Sequence, residues 1–152
     1  MDEVDEGDPR DAARENARRK ARAVAAEHPG ERVLGVDTVV TMAGRILPKP
    51  QDERQATEWL RTLSGRTHAV LGGLCLVGAQ GEREALDSTD VRFRELSTKD
   101  VADYVATGEW EGKAGGYAIQ GRGAALVRSV TGDFYTVVGL PVAALVDLLR
   151  SA

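Results

Sequence analysis

An aspartate stands inside the apolar, β-rich run from Arg32 to Val40, where packing alone does not ask for one. Ionised and buried without a partner, Asp37 would cost several kcal/mol, so it must meet a cation, a hydrogen-bond network or water at a strand end. Such a carboxylate suits a hard cation; equally, backbone donors or an arginine could satisfy it. Lys49 lies between Pro48 and Pro50, on stiff backbone that presents a charge at a fixed place with little ordering entropy left to lose. An exposed turn lysine is the plainer reading. Lys20 falls on the edge of a helical apolar stripe, where its stem can lie along the protein while its ammonium reaches water. Gln120 sits in the glycine-dense segment Gly115–Gly121, suited to close backbone approach to a ligand, and its amide has the donor and acceptor to read a base edge. A plain glycine-rich turn fits that segment as well.

Several chemistries are excluded. Gly108-Glu109-Trp110-Glu111-Gly112-Lys113-Ala114 puts three residues between its glycines where a phosphate-binding P-loop needs four, and Ala114 has no hydroxyl for a metal. No dinucleotide fingerprint follows a strand. Cys75 is the single cysteine, and His28 and His68 stand far apart, so a zinc site is not expected. Twenty Lys+Arg against 24 Asp+Glu give a net charge of −4, which disfavours nonspecific binding to nucleic acid or an anionic membrane. Any phosphate must be met by a local cluster. No apolar run approaches the roughly 18 residues of a membrane span, and the acidic start is unlike a signal peptide; a cytoplasmic location is expected.

The elements that must position these residues can be read from periodicity. The 152-residue chain, 42% hydrophobic, suits one globular domain, 1–152. Asp8-Pro9 starts a helix whose stripe Ala13, Ala17, Ala21, Val24 and Ala25 is small and implies close packing; His28-Pro29-Gly30 ends it. Arg32 to Val40 reads as a strand covered on both faces, followed by a turn at Ala43-Gly44 and a short return strand. A capping box at Asp52 to Gln55 opens a helix bearing Ala56, Trp59, Leu60 and Leu63. Thr67 to Val77 is a strand in which Gly72-Gly73 marks a bulge or a close approach, and Ala85 to Leu96 is another. Ser97 caps a short helix, Ala124–Val130 and Phe134–Val138 read as a hairpin about Thr131-Gly132-Asp133, and Pro141 begins a last helix. Strands alternating with helices define an α/β domain.

Val4-Asp5-Glu6, Ala17-Arg18-Arg19-Lys20-Ala21, Gly35-Val36-Asp37-Thr38-Val39-Val40, Lys49-Pro50, Leu63-Ser64-Gly65-Arg66, Lys113-Ala114-Gly115 through Ile119-Gln120-Gly121, and Val138-Gly139-Leu140-Pro141 together closely resemble the Maf family of nucleoside triphosphate pyrophosphatases. The resemblance spans nearly the whole chain and implies a mixed, twisted sheet flanked by helices around a nucleotide-binding cleft. It also implies hydrolysis of a nucleoside triphosphate to the monophosphate and pyrophosphate with a divalent cation, Mg²⁺ or Mn²⁺, and a homodimer. Asp37 matches the family's proton acceptor and Glu6 an acidic residue that helps hold the metal. Lys20 and Lys49 match phosphate-contacting lysines. Thr38 and Gln120 match the branch resembling dTTP/UTP pyrophosphatases, favouring a pyrimidine substrate. The roles agree with the chemistry: attack at the α-phosphorus needs an activated water and cations placed where charge accumulates.

One departure stands out. Relatives resembling this chain begin with a strand and a Ser-x-Ser-Pro-Arg-Arg loop, which this sequence lacks. The expectation is therefore an N-terminally truncated domain missing a core strand and an arginine pair. Either the protein begins upstream, which the retained charged positions favour, or the chain is a weakened module that binds nucleotide or a partner without turnover.

Overall fold

The computed structural model describes residues 3–151. Helix α1 (Pro9–Glu27) is capped by the Asp8 side chain, which accepts the Arg10 N–H, and buries Ala12, Ala13, Asn16, Ala17 and Ala21. Strands β1 (Val33–Met42) and β2 (Arg45–Ile46), helix α2 (Glu53–Leu63), strands β3 (Thr67–Gly78) and β4 (Gly81–Phe93), helix α3 (Thr98–Ala106), strand β5 (Val127–Thr131) and helices α4 (Phe134–Val138) and α5 (Val142–Arg150) follow. The result is the expected α/β class, a five-stranded sheet in the order β2-β1-β3-β4-β5 with helices on its faces. Every pairing among the described residues is antiparallel.

The small-residued stripe of α1 has its counterpart in the sheet. A Cβ at Gly35 would lie 2.2 Å from the Ala17 carbonyl oxygen, and one at Gly73 2.4 Å from that of Ala13. Helix backbone thus rests almost directly on strand backbone. The register of β3 with both neighbours runs unbroken through Gly72 and Gly73. Of the two expectations there, close approach is the one realised, and the irregularity in the sheet falls instead at Arg92/Phe93. Gly72 faces the opposite side, where a Cβ would meet Pro141 Cγ at 2.9 Å.

Alternation along β1 sorts its residues between two layers. Val33 and Val39 pack with Ala13, Ala17, Ala21, Leu71 and Cys75 on the α1 side. Leu34 and Val36 pack with Leu74, Leu76 and Leu148 on the α5 side. The largest apolar cluster lies around Trp59, Leu60, Leu63, Phe93 and Val101, joining α2 and α3 to the sheet. On its outer edge β1 is paired by β2 only at Thr41 and Met42. From Val33 to Val39 that edge carries no strand partner among the described residues.

The expected hairpin after β5 is corrected. Phe134–Val138 is helical, although its aromatic and β-branched residues favour a strand. Local capping decides the outcome: Asp133 accepts the Tyr135 N–H, and Gly139, at φ 134°, closes the turn with its own N–H on the Tyr135 carbonyl. Residues 122–126 form a 3₁₀ turn, so β5 starts at Val127. At α2, Asp52 accepts the Gln55 N–H as a cap, whereas the Gln55 side chain turns to the Gln51 N–H.

His68 is buried, with Nε2 2.7 Å from the Tyr117 hydroxyl and edge-on contacts to Phe93 and Tyr117. Burial pushes its pKa down to about 4. The unfolded chain therefore takes up a proton near pH 6.5 that the folded chain refuses, and this contribution to stability, complete above 6.5, is lost as pH falls through about 4. The gap corresponds to about 3 kcal/mol. Thermal unfolding followed from pH 7.5 to 4 is expected to show a falling Tm across this window, with a shallower fall in His68→Phe.

Candidate functional site

The open edge of β1 allows residues from both faces of the sheet to line one cleft. Asp37 belongs to the α1 face and Thr38 to the opposite one, yet both border a cleft of about 390 Å³ together with Lys20, Lys49, Lys113 and Gln120. That volume lies in the range of small-molecule sites. Five of the six residues expected at the site, Lys20, Asp37, Thr38, Lys49 and Gln120, are thus brought together.

Asp37 is only 4% exposed. Lys20 Nζ donates to its Oδ1 at 2.8 Å, and Asn16 Nδ2 donates to its Oδ2 at 3.2 Å. Lys20 and Asn16 lie one helical turn apart on the face of α1 that meets β1. Burial raises the Asp37 pKa, opposed by the Lys20 ammonium and the Asn16 amide. Burial alone would lower the pKa of Lys20, but its bonds to Asp37 and Glu3 raise it. The lysine therefore stays charged beside a carboxylate whose proton affinity is above that of an ordinary aspartate, a useful combination for a base working next to phosphate.

Glu6 is not in this group. The segment before α1 is clamped where Asn16 Oδ1 accepts the Val4 N–H at 2.7 Å and Asn16 Nδ2 donates to the Val4 carbonyl at 2.9 Å. Gly7, at φ 82°, then turns the chain into the Asp8 cap. Glu6 falls beyond the clamp, in a separate depression with Asp8, Asp11 and Arg14. The carboxylate brought to Lys20 is that of Glu3, whose Oε1 lies 2.9 Å from Lys20 Nζ and 3.5 Å from Lys49 Nζ. Burial would raise the Glu3 pKa, but the two lysines outweigh it and lower it.

Loop 112–123 forms the other wall. Gly115, at φ 72°, sits so close to β1 that a Cβ would lie 2.8 Å from Val40 Cγ1, and its N–H donates to the Leu47 carbonyl at 2.8 Å. The turn carrying Gln120 is pinned by Glu109, which accepts the N–H groups of Arg122 and Gly123 and the Tyr104 hydroxyl. Tyr104 in turn accepts the Ala118 N–H at 3.0 Å. The segment that fails as a P-loop thus serves as scaffold, and its Lys113 reaches the cleft.

Asn16, Glu3, Glu109 and Lys113 were missed as site residues. Two of them carried a signal: Asn16, as a polar residue interrupting the alanine stripe between Ala13 and Ala17, and Lys113, which stands in one of the blocks that carry the resemblance.

Among the described residues no cluster of three or more His, Cys, Asp or Glu side chains is placed to hold a metal. The Asp37 and Glu3 carboxylates both meet the Lys20 ammonium, at 2.8 and 2.9 Å from Nζ, and are the hard oxygen donors that a Mg²⁺-type cation takes, commonly one or two with water and substrate phosphate completing the shell.

The fold and the cleft define an α/β protein in which a buried carboxylate and three lysines border one cleft. The chain belongs to the Maf-like protein family, which matches residues 1–152. It is 43% identical over 149 residues to a dTTP/UTP pyrophosphatase of Pyrococcus furiosus, covering 98% of this chain and 78% of that protein. It is 46% identical over 147 residues to a dTTP/UTP pyrophosphatase of Deinococcus radiodurans, covering 97% and 75%. With a dTTP/UTP pyrophosphatase of Paramagnetospirillum magneticum it shares 51% identity over 130 residues, covering 84% and 68%.

Proposed function

We propose that this protein is a nucleoside triphosphate pyrophosphatase acting on dTTP or UTP. The observation that carries the reading is the buried Asp37 at the open edge of β1, bonded to Lys20 in a cleft that also holds Lys49 and Gln120. The similarity to the dTTP/UTP pyrophosphatases named above supports the substrate class.

In the reaction, a water oxygen bonds to the α-phosphorus, the bond from that phosphorus to the bridging oxygen breaks, and pyrophosphate leaves with the bonding electrons. Asp37 takes the proton from the attacking water. Lys20 and Lys49 offset the negative charge that grows on the departing phosphates, in a partly enclosed cleft where such charges interact more strongly than in bulk water. Thr38 and Gln120 face the nucleoside, and the amide of Gln120 supplies the donor and acceptor that a pyrimidine edge requires. Asp37 and Glu3 would hold a divalent cation, which neutralises phosphate oxygens when bound. Among the described residues no helix is long and apolar enough to cross a membrane.

The test is pyrophosphate release from dTTP, UTP and 7-methyl-GTP, with Mg²⁺ or Mn²⁺ and with EDTA. Release from dTTP and UTP in preference to 7-methyl-GTP, lost in EDTA, is expected. Nucleotide-induced thermal stabilisation with no pyrophosphate from any substrate would establish a binding module instead.

A further inference from the structure

We propose that Asn16 is a positioning residue for Asp37, holding the carboxylate through a neutral amide whose orientation is fixed by the backbone of Val4. The inference rests on the pyrophosphatase reading and extends it to a residue outside the motifs that suggested it.

Asn16 is 3% exposed and lies on the face of α1 that contacts the sheet. Its carboxamide makes three hydrogen bonds: Oδ1 accepts from Val4 N at 2.7 Å, and Nδ2 donates to Val4 O at 2.9 Å and to Asp37 Oδ2 at 3.2 Å. The Val4 N–H can only donate, so the atom facing it must be the amide oxygen, which leaves the NH₂ group toward Asp37. The amide cannot flip without setting donor against donor. Lys20 holds Oδ1 of the same carboxylate. Asp37 is therefore gripped at both oxygens, by a cation on one side and a neutral donor on the other, with its carboxylate plane set by two groups from one helix.

The choice of side chain has chemical content. A leucine would fill the volume but leave Oδ2 without this donor in a site sheltered from water. An aspartate would preserve shape and still accept the Val4 N–H, but it would set an acceptor against Asp37 Oδ2 where the amide donates. A second cation in place of the amide would hold Asp37 ionised and weaken it as a base. Asparagine orients the carboxylate without doing either. The charged groups that share the cleft with Asp37 are Lys20 on α1, Glu3 on the preceding segment, Lys49 after β2 and Lys113 of loop 112–123, and none is changed by substitutions at position 16.

The experiment compares wild type with Asn16→Leu and Asn16→Asp by two readouts. One is the crystal structure of each protein, which reads the orientation of the Asp37 carboxylate whether or not substrate turns over. The other is kcat and KM for dTTP, with Tm recorded alongside. In Asn16→Leu the Asp37 carboxylate is expected to rotate out of its wild-type plane, with kcat lower by about tenfold and KM within about twofold. Asn16→Asp, which keeps the bond to the Val4 N–H but sets an acceptor against Oδ2, should lower kcat at least as far. An Asp37 carboxylate that stays in place in both variants would overturn the proposal, as would a wild-type kcat in folded Asn16→Leu. A purely structural role would lower Tm and leave the carboxylate plane and kcat in place. If the carboxylate moves but the wild-type chain releases no pyrophosphate, the enzyme reading fails, and the catalytic role of the contact with it.

Discussion

Asp37→Asn is expected to lower pyrophosphate release by about 10²–10⁴-fold, the usual contribution of a positioned general base. The substitution keeps the shape of the side chain and an oxygen for the Lys20 bond at 2.8 Å but sets its new NH₂ against the Asn16 Nδ2 donor, so the fold should persist with a lowered Tm. It removes the buried carboxylate proposed to take the proton of the attacking water. Nucleotide binding should survive, because Lys49 and Gln120 are unchanged, and thermal stabilisation by dTTP would register it. Full pyrophosphate release by a folded Asp37→Asn would remove Asp37 from the role of base.

The second large effect is on stability. Gly35→Ala is expected to destabilise the protein by about 3 kcal/mol or more, because the new methyl meets helix backbone rather than a side chain that can turn aside. Its Cβ would lie 2.2 Å from Ala17 O and 2.7 Å from Ala21 N, so α1 has to lift off the sheet. For a domain of this size, that corresponds to a fall in Tm of about 10 °C. Gly78→Ala is the control: its Cβ would make only a 3.5 Å contact with Arg32 Cγ, and a change within about 1 kcal/mol is expected there. Differential scanning calorimetry of the two variants makes the comparison, and equal Tm values would remove the close helix-sheet contact as a source of stability. Because α1 carries both Asn16 and Lys20, whatever Gly35→Ala leaves folded should also lose activity.

These two substitutions also divide what could be read from the chain from what could not. The apolar run around Asp37 marked a strand, and the cost of burying a charge marked Asp37 as needing a partner. The alanine stripe of α1 announced a close contact, and the caps at Asp8 and Ser97 set helix starts that the structure keeps. All of these depend on neighbours within a turn or two of the chain, where spacing in sequence becomes direction in space. The α4 segment marks the limit of that reasoning even locally: its residue types favoured a strand, and a side-chain cap with a glycine stop made a helix.

What the tertiary structure decided was company. That Asp37 meets Lys20 rather than an arginine or backbone donors follows from α1 crossing β1 at the distance that Gly35 and Gly73 permit. That Glu3 stands at the lysines while Glu6 lies in another depression follows from the Asn16 clamp on Val4. That Gln120 reaches the cleft follows from Glu109 holding the backbone of residues 122 and 123. Residue type and local period determine which side chains need a partner and which face of an element they occupy. The partner itself is chosen by contacts between distant segments, which depend on how closely whole elements can approach, and no local spacing encodes that distance.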